Sequence, residues 1–75
     1  MRKLPQVNAR KLLGALQRAG FVVCRQTGSH VFLRHRVTGM TTVVLAHTGA
    51  IKAELVSGIL RQAGISDEEF LDLLR

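Results

Sequence analysis

An α+β fold in the order helix, three strands, helix, short helix is what this sequence predicts, and three observations predict it. Apolar residues recur at helical spacing before Gly20 and again before Gly64, while the segment between them switches to β-branched and aromatic residues cut by glycine-bearing turns. With 75 residues the chain has room for one small domain, spanning 1–75, and one modest core.

The first helix is capped by Asn8, carries Ala9, Leu12, Leu16 and Ala19 on one stripe, and stops at Gly20, which takes the left-handed conformation at low cost. Arg10, Lys11, Gly14 and Arg18 fall on the opposite side, which is therefore a cationic face, either solvated or a rail for phosphates. Phe21 to Gln26 is the first strand, Thr27-Gly28-Ser29 a turn, and His30 to His35 the second strand, so these two form a hairpin. Arg36-Val37-Thr38-Gly39 turns the chain again into a third strand, Thr41 to Ala46, giving an antiparallel meander. A second helix of roughly Lys52 to Ala63 buries Leu55, Val56, Ile59, Leu60 and Ala63 and ends at Gly64. Ser66 and Glu69 have the spacing of a capping box for a short third helix that turns Phe70, Leu73 and Leu74 inward.

Amphipathic helices on so small a sheet share one face of it and leave the other open. Alternation in the second strand puts His30, Phe32 and Arg34 on one side and Val31, Leu33 and His35 on the other; Val31 and Leu33 are the core candidates. His30 then lies on the open face or its rim, beside an aromatic, Phe32, that needs a partner surface or a base to stack on.

Composition narrows the chemistry. Cys24 is the sole cysteine, so no intramolecular disulfide forms, and within Val22-Val23-Cys24 it reads as a small buried hydrophobe in a reducing compartment. The N-terminal Met1-Arg2-Lys3-Leu4-Pro5 lacks the apolar stretch of a secretory signal, and no segment is long enough to span a membrane, so a cytoplasmic location is expected. Residues 1–66 hold ten Lys/Arg and one Glu, a net +9, whereas 67–75 hold four acids and one Arg, a net −3. A basic body with an acidic tip suits a polyanionic partner.

The order of these elements and several short motifs along them resemble the HicA, or YcfA-like, family of bacterial toxins. The motifs are the Leu12-Leu13 helix running to Ala19-Gly20-Phe21, then Arg25-Gln26-Thr27-Gly28-Ser29-His30, Arg34-His35, and Ile59-Leu60-Arg61-Gln62-Ala63-Gly64-Ile65-Ser66 with the Phe70-Leu71 tail. The resemblance implies a fold like the double-stranded-RNA-binding domain. It also implies an mRNA interferase of a type II toxin-antitoxin system, an endoribonuclease that arrests translation until a HicB-like antitoxin neutralises it. Catalysis by the histidine of the Gly-Ser-His motif maps onto His30. Where the family has a Val-Pro-then-His pattern, Val44-Leu45-Ala46-His47 lacks the proline, which leaves the turn near His47 open.

The residues suit such chemistry. RNA carries its own nucleophile, the 2′-hydroxyl, so cleavage needs a group that moves protons near neutral pH and cations that stabilise the crowded phosphorane, with no cofactor. Histidine, with an unperturbed pKa of about 6.5, fills the first role, and His30 is the candidate. Gly28 lets the turn take conformations closed to other residues and lets a phosphate approach the backbone; Ser29 donates a hydrogen bond or shapes the turn. Either residue can equally belong to an ordinary hairpin. Arg25, Arg34 and Lys52 are the candidate phosphate contacts, Lys52 because a cation in the first turn of a helix opposes the dipole unless an anion binds there. A metal site of His30, His35 and His47 is not expected, since none of the spacings is that of helical metal ligands and His30 and His35 face opposite sides of the sheet. His35 reads as a half-buried strand residue. A non-catalytic RNA-binding module, and a protein-docking domain using Phe32, are the rival readings.

Overall fold

The computed structural model describes residues 4–46 and 49–74. A short strand β1 (Val7–Asn8) leads into α1 (Ala9–Arg18), and β2 (Phe21–Thr27), β3 (His30–His35) and β4 (Thr41–Leu45) follow. A second short strand, β5 (Ala50–Ile51), then precedes α2 (Ala53–Ala63) and α3 (Asp67–Leu73). Strands β2, β3 and β4 form an antiparallel meander in that order, with helices on one face, which is the expected α+β arrangement of the double-stranded-RNA-binding-domain type.

Helices α1 and α3 start where their capping chemistry says they should. Asn8 Oδ1 accepts the Lys11 N–H at 2.9 Å, and Ser66 Oγ accepts the Glu69 N–H at 3.1 Å, so two backbone donors that lack helical partners are satisfied. Helix α2 stops at Gly64, whose φ of +72° is the left-handed C-terminal signal read from the sequence. The core is built from Leu12, Ala15 and Leu16 of α1, Val56, Leu60 and Ala63 of α2, Phe70 of α3, and Phe21, Val31, Leu33 and Val44 from the sheet. Val31 and Leu33 are buried and the open-face positions of β3 are not, so the alternation in that strand stands as read. Among the described residues Thr42 is the one polar residue buried with them, and its hydroxyl donates to Gln62 Oε1 at 3.1 Å, which satisfies it.

Four features depart from the sequence reading. A two-stranded ribbon joins β1 to β5 through Val7↔Ile51 and Asn8↔Ala50, setting the starts of α1 and α2 side by side. Helix α2 begins at Ala53, so Lys52 is its N-cap in extended conformation (φ −61°, ψ 143°) rather than a first-turn residue. Leu55 is 56% exposed: Val56, Leu60 and Ala63 point at the sheet, and the 100° step back to Leu55 rotates it outward. Cys24 is exposed as well: alternation from the buried Phe21 turns it to the open face, and every residue of β2 after Phe21 is exposed.

Candidate nucleic-acid interface on the open sheet face

His30 is held by a tight turn. Thr27 and His30 are paired across β2 and β3, leaving only Gly28 and Ser29 to reverse direction. Gly28 has φ +58°, the positive value that a two-residue hairpin turn needs at its first central position. A side chain added there would meet nothing within 4 Å, so the demand for glycine is one of backbone conformation, and the space above the turn is open. The turn is braced from both sides: Gln26 Nε2 donates to the Gly28 carbonyl at 3.3 Å, and the Ala46 N–H donates to the Ser29 carbonyl at 2.6 Å, tying the turn to the end of β4. Gly28 and Ser29 thereby build the turn that presents His30. Among the described residues the His30 ring has no hydrogen-bond partner, and its side chain is exposed.

Arg25 reaches the same face through a β-bulge. The pairs Phe21↔His35, Val22↔Arg34 and Val23↔Leu33 run in regular register, then Cys24 is passed over and Arg25 pairs with Phe32, followed by Gln26↔Val31 and Thr27↔His30. Strict alternation from the buried Phe21 would have turned Arg25 toward the helices; the extra residue reverses the sides, as bulges do next to binding sites. The Arg25 guanidinium carbon lies 4.7 Å from the centre of the Phe32 ring, within cation–π range. The rings of Phe32 and His30, two positions apart on β3, are 6.4 Å between centroids and inclined by only 25°. Arg25, Phe32 and His30 thus make a continuous cationic and aromatic row across two strands.

Arg34 is on this face too, but at the far end of β3, roughly 13 Å of strand from His30. Its guanidinium lies by the next turn, where a side chain on Gly39 would come within 3.4 Å of it. Lys52 is placed by a different sheet, immediately after β5, and its side chain makes no capping hydrogen bond. Glu54 already supplies an acid to the first turn of α2, so the dipole conflict that singled out Lys52 is absent. On the β4 side the face is apolar, with Val43 opposite Phe32 and Leu45 opposite His30, 36% and 39% exposed.

His35 has the opposite character. Its Nδ1 accepts the N–H groups of Val37 and Thr38 at 3.1 Å each, which assigns the ring proton to Nε2, and that N–H donates to the Ala19 carbonyl at 2.9 Å. Phe21 packs edge-on to it at 5.0 Å between ring centres. A side chain on Gly20, where φ is +107°, would come to 2.8 Å from His35 Nε2, so the glycine that ends α1 also makes room for this ring. His35 is a structural histidine on the helix side, as read. His47 lies outside the described residues. Among the described residues no group of three His, Cys, Asp or Glu is placed to hold a metal ion, and no helix is long and apolar enough to cross a membrane.

The row is a platform and not a cleft. A groove of about 910 Å³ follows the outer side of α1, past Arg10, Lys11 and Arg18, and does not include His30. Arg18 on that side donates to the Leu73 carbonyl at 2.7 Å, so one cation of the α1 face clamps the last turn of α3. A surface row of this kind suits a polymer lying across it better than a small molecule needing enclosure.

The family model for the HicA toxin of bacterial toxin-antitoxin matches residues 9–65. The chain belongs to the HicA toxin family. The matched span contains all of β2, β3 and β4, and so the whole row from Arg25 through Phe32 to His30, whereas α3 of this HicA protein lies beyond it. No curated protein matches the chain. Membership makes this HicA chain one half of a toxin-antitoxin pair. What reading along the HicA sequence missed was the bulge at Cys24, and with it the seat of Arg25 over Phe32; no local residue pattern announces a bulge in a strand of this composition.

Proposed function

We propose that this chain is a metal-independent endoribonuclease toxin that cleaves mRNA with His30 as its proton-transfer group, acting as one unit over residues 1–75. The observation that carries the proposal is the His30 imidazole, without a hydrogen-bond partner among the described residues, on a solvent-facing row with Arg25 and Phe32, in a member of a toxin family. A 2′-oxygen loses its proton and bonds to the adjacent phosphorus, the bond from phosphorus to the 5′-oxygen breaks, and that oxygen gains a proton. His30 gives or takes one of these protons. Arg25 is the cation on the His30 row and stabilises the charge on the phosphorane, while the open turn at Gly28 and Ser29 lets the phosphate approach the backbone. Arg34 meets a phosphate further along the strand, and Lys52 is assigned to a flanking one.

Because the nucleophile belongs to the RNA, no water has to be activated and no cofactor is required. The basic surface, net +6 over the chain, supports an RNA substrate and an acidic face on a HicB-like antitoxin, both in the cytoplasm. The rival is an RNA-binding module without catalysis. Incubating the purified protein with RNA in EDTA separates the two: the wild type should degrade the RNA and His30→Ala, checked for its fold by circular dichroism, should not. Degradation at the wild-type rate by His30→Ala would remove His30 from the chemistry, and binding without cleavage by either protein would establish the rival.

A further inference from the structure

We infer that the open sheet face binds one nucleotide of single-stranded RNA, with its base against Phe32 over Val43 and Leu45 and its phosphate on the Arg25 side; this inference rests on the ribonuclease reading. The face is divided across the strands. Its β2 side carries the Arg25 cation, its centre the half-buried ring of Phe32, and its β4 side the exposed Val43 and Leu45 directly opposite Phe32 and His30. A nucleotide is divided in the same way, with an anionic phosphate at one end and a flat, weakly solvated base at the other. Matching the two orients it across the strands rather than along them, and it delivers the sugar between base and phosphate to the neighbourhood of His30.

Phe32 is the base position: its half-buried ring stands between its cross-strand partners, the Arg25 cation on β2 and the apolar Val43 on β4. In a duplex both faces of every base are covered by its neighbours, so this contact is open only to an unstacked strand. Phe32 is on this argument a specificity residue: it selects single strands, and His30 acts on whatever phosphate that stacking brings near.

The test uses the His30→Ala protein, which leaves RNA intact, and a short single-stranded RNA carrying 2-aminopurine, whose fluorescence falls when it stacks. The parent should quench the probe and bind it more tightly than the same sequence as a duplex. Adding Phe32→Leu, which keeps an apolar side chain in place, should weaken single-strand binding about tenfold and remove the quenching. Phe32→Trp should retain both. In the active protein, Phe32→Leu should raise KM more than it lowers kcat. Equal affinity of the parent and its Phe32→Leu derivative, or duplex binding as tight as single-strand binding, would overturn the stacking site. If the wild type cleaves RNA and His30→Ala does not, the ribonuclease reading survives that failure; if the wild type neither binds nor cleaves RNA, both fall together.

Discussion

Arg25 and Phe32 are paired across β2 and β3 with the guanidinium carbon 4.7 Å from the ring centre, although Arg25 is four residues along the chain from Phe21, which faces the core. Even spacing in a regular strand would put Phe21 and Arg25 on one side. The bulge at Cys24 separates them, and it hands the candidate site a cation.

Arg25→Ala should therefore reduce RNA cleavage by about a hundredfold, the scale on which losing one donor to developing phosphorane charge is felt. Thermal stability should change little, since an exposed cation–π contact contributes only about 0.5–1 kcal/mol. Steady-state kinetics beside a melting curve measures both. Loss of stability with cleavage per folded molecule intact would make Arg25 a structural residue.

Cys24, the chain's sole cysteine, should react with Ellman's reagent in the folded protein without denaturant, releasing one thiol per chain at the rate of an accessible group. Cys24→Ser should shift stability by less than about 0.5 kcal/mol, as for other exposed substitutions. A thiol that reacts only after unfolding would mean that Cys24 packs against the helices and that β2 is turned over relative to Phe21 and its pairing with β3.

The two histidines of β3 should behave oppositely on truncation. His35→Ala removes the acceptor of two backbone N–H groups and the donor to Ala19, and should cost about 3 kcal/mol in urea unfolding. Gly20→Ala, which combines a positive φ with a 2.8 Å approach to that ring, should cost a similar amount. His30→Ala should leave the unfolding midpoint where it is. Equal stability of His35→Ala and His30→Ala would refute the structural assignment of His35.

Gly28 provides a contrast between conformation and space. Its φ of +58° penalises alanine by roughly 1–2 kcal/mol, but no atom stands in the way of the added carbon. Gly28→Asn, a residue that tolerates the left-handed region, should be milder than Gly28→Ala in denaturant titrations. A cost for Gly28→Ala as large as for Gly20→Ala would show that crowding, not conformation, dominates at this turn.

Salt will report how many cations the RNA meets. With Arg25, Arg34 and Lys52 as the three phosphate contacts, log affinity for a single strand against log salt should fall with a slope of about −2.1, and Arg34→Ala should bring it to about −1.4. Removing Lys52 as well should leave about −0.7. A slope near zero would support a protein-docking surface instead.

Much of this was legible in the sequence because the signals are local. Asn8, Ser66 and Gly64 mark helix ends through their own backbone or capping chemistry, and Val31 and Leu33 betray the core through alternation within a single strand. What escaped depends on partners distant in sequence. The β1–β5 ribbon is made of two-residue segments too short to show a period, and the exposure of Leu55 follows from how α2 rolls on the sheet. The bulge escaped for a related reason: Val22-Val23-Cys24 reads as an unbroken apolar strand, and only the pairing with β3 shows which residue is surplus.

The histidine assigned to chemistry makes no hydrogen bond among the described residues, while the one five positions later fastens α1, β2 and the β3–β4 turn together. On the proposed function, toxicity and foldedness are carried by separate side chains. A copy of the gene substituted at codon 30 would then encode an inactive protein as durable as the parent, one that quality-control proteases have no thermodynamic reason to clear and that would accumulate in cells at full abundance.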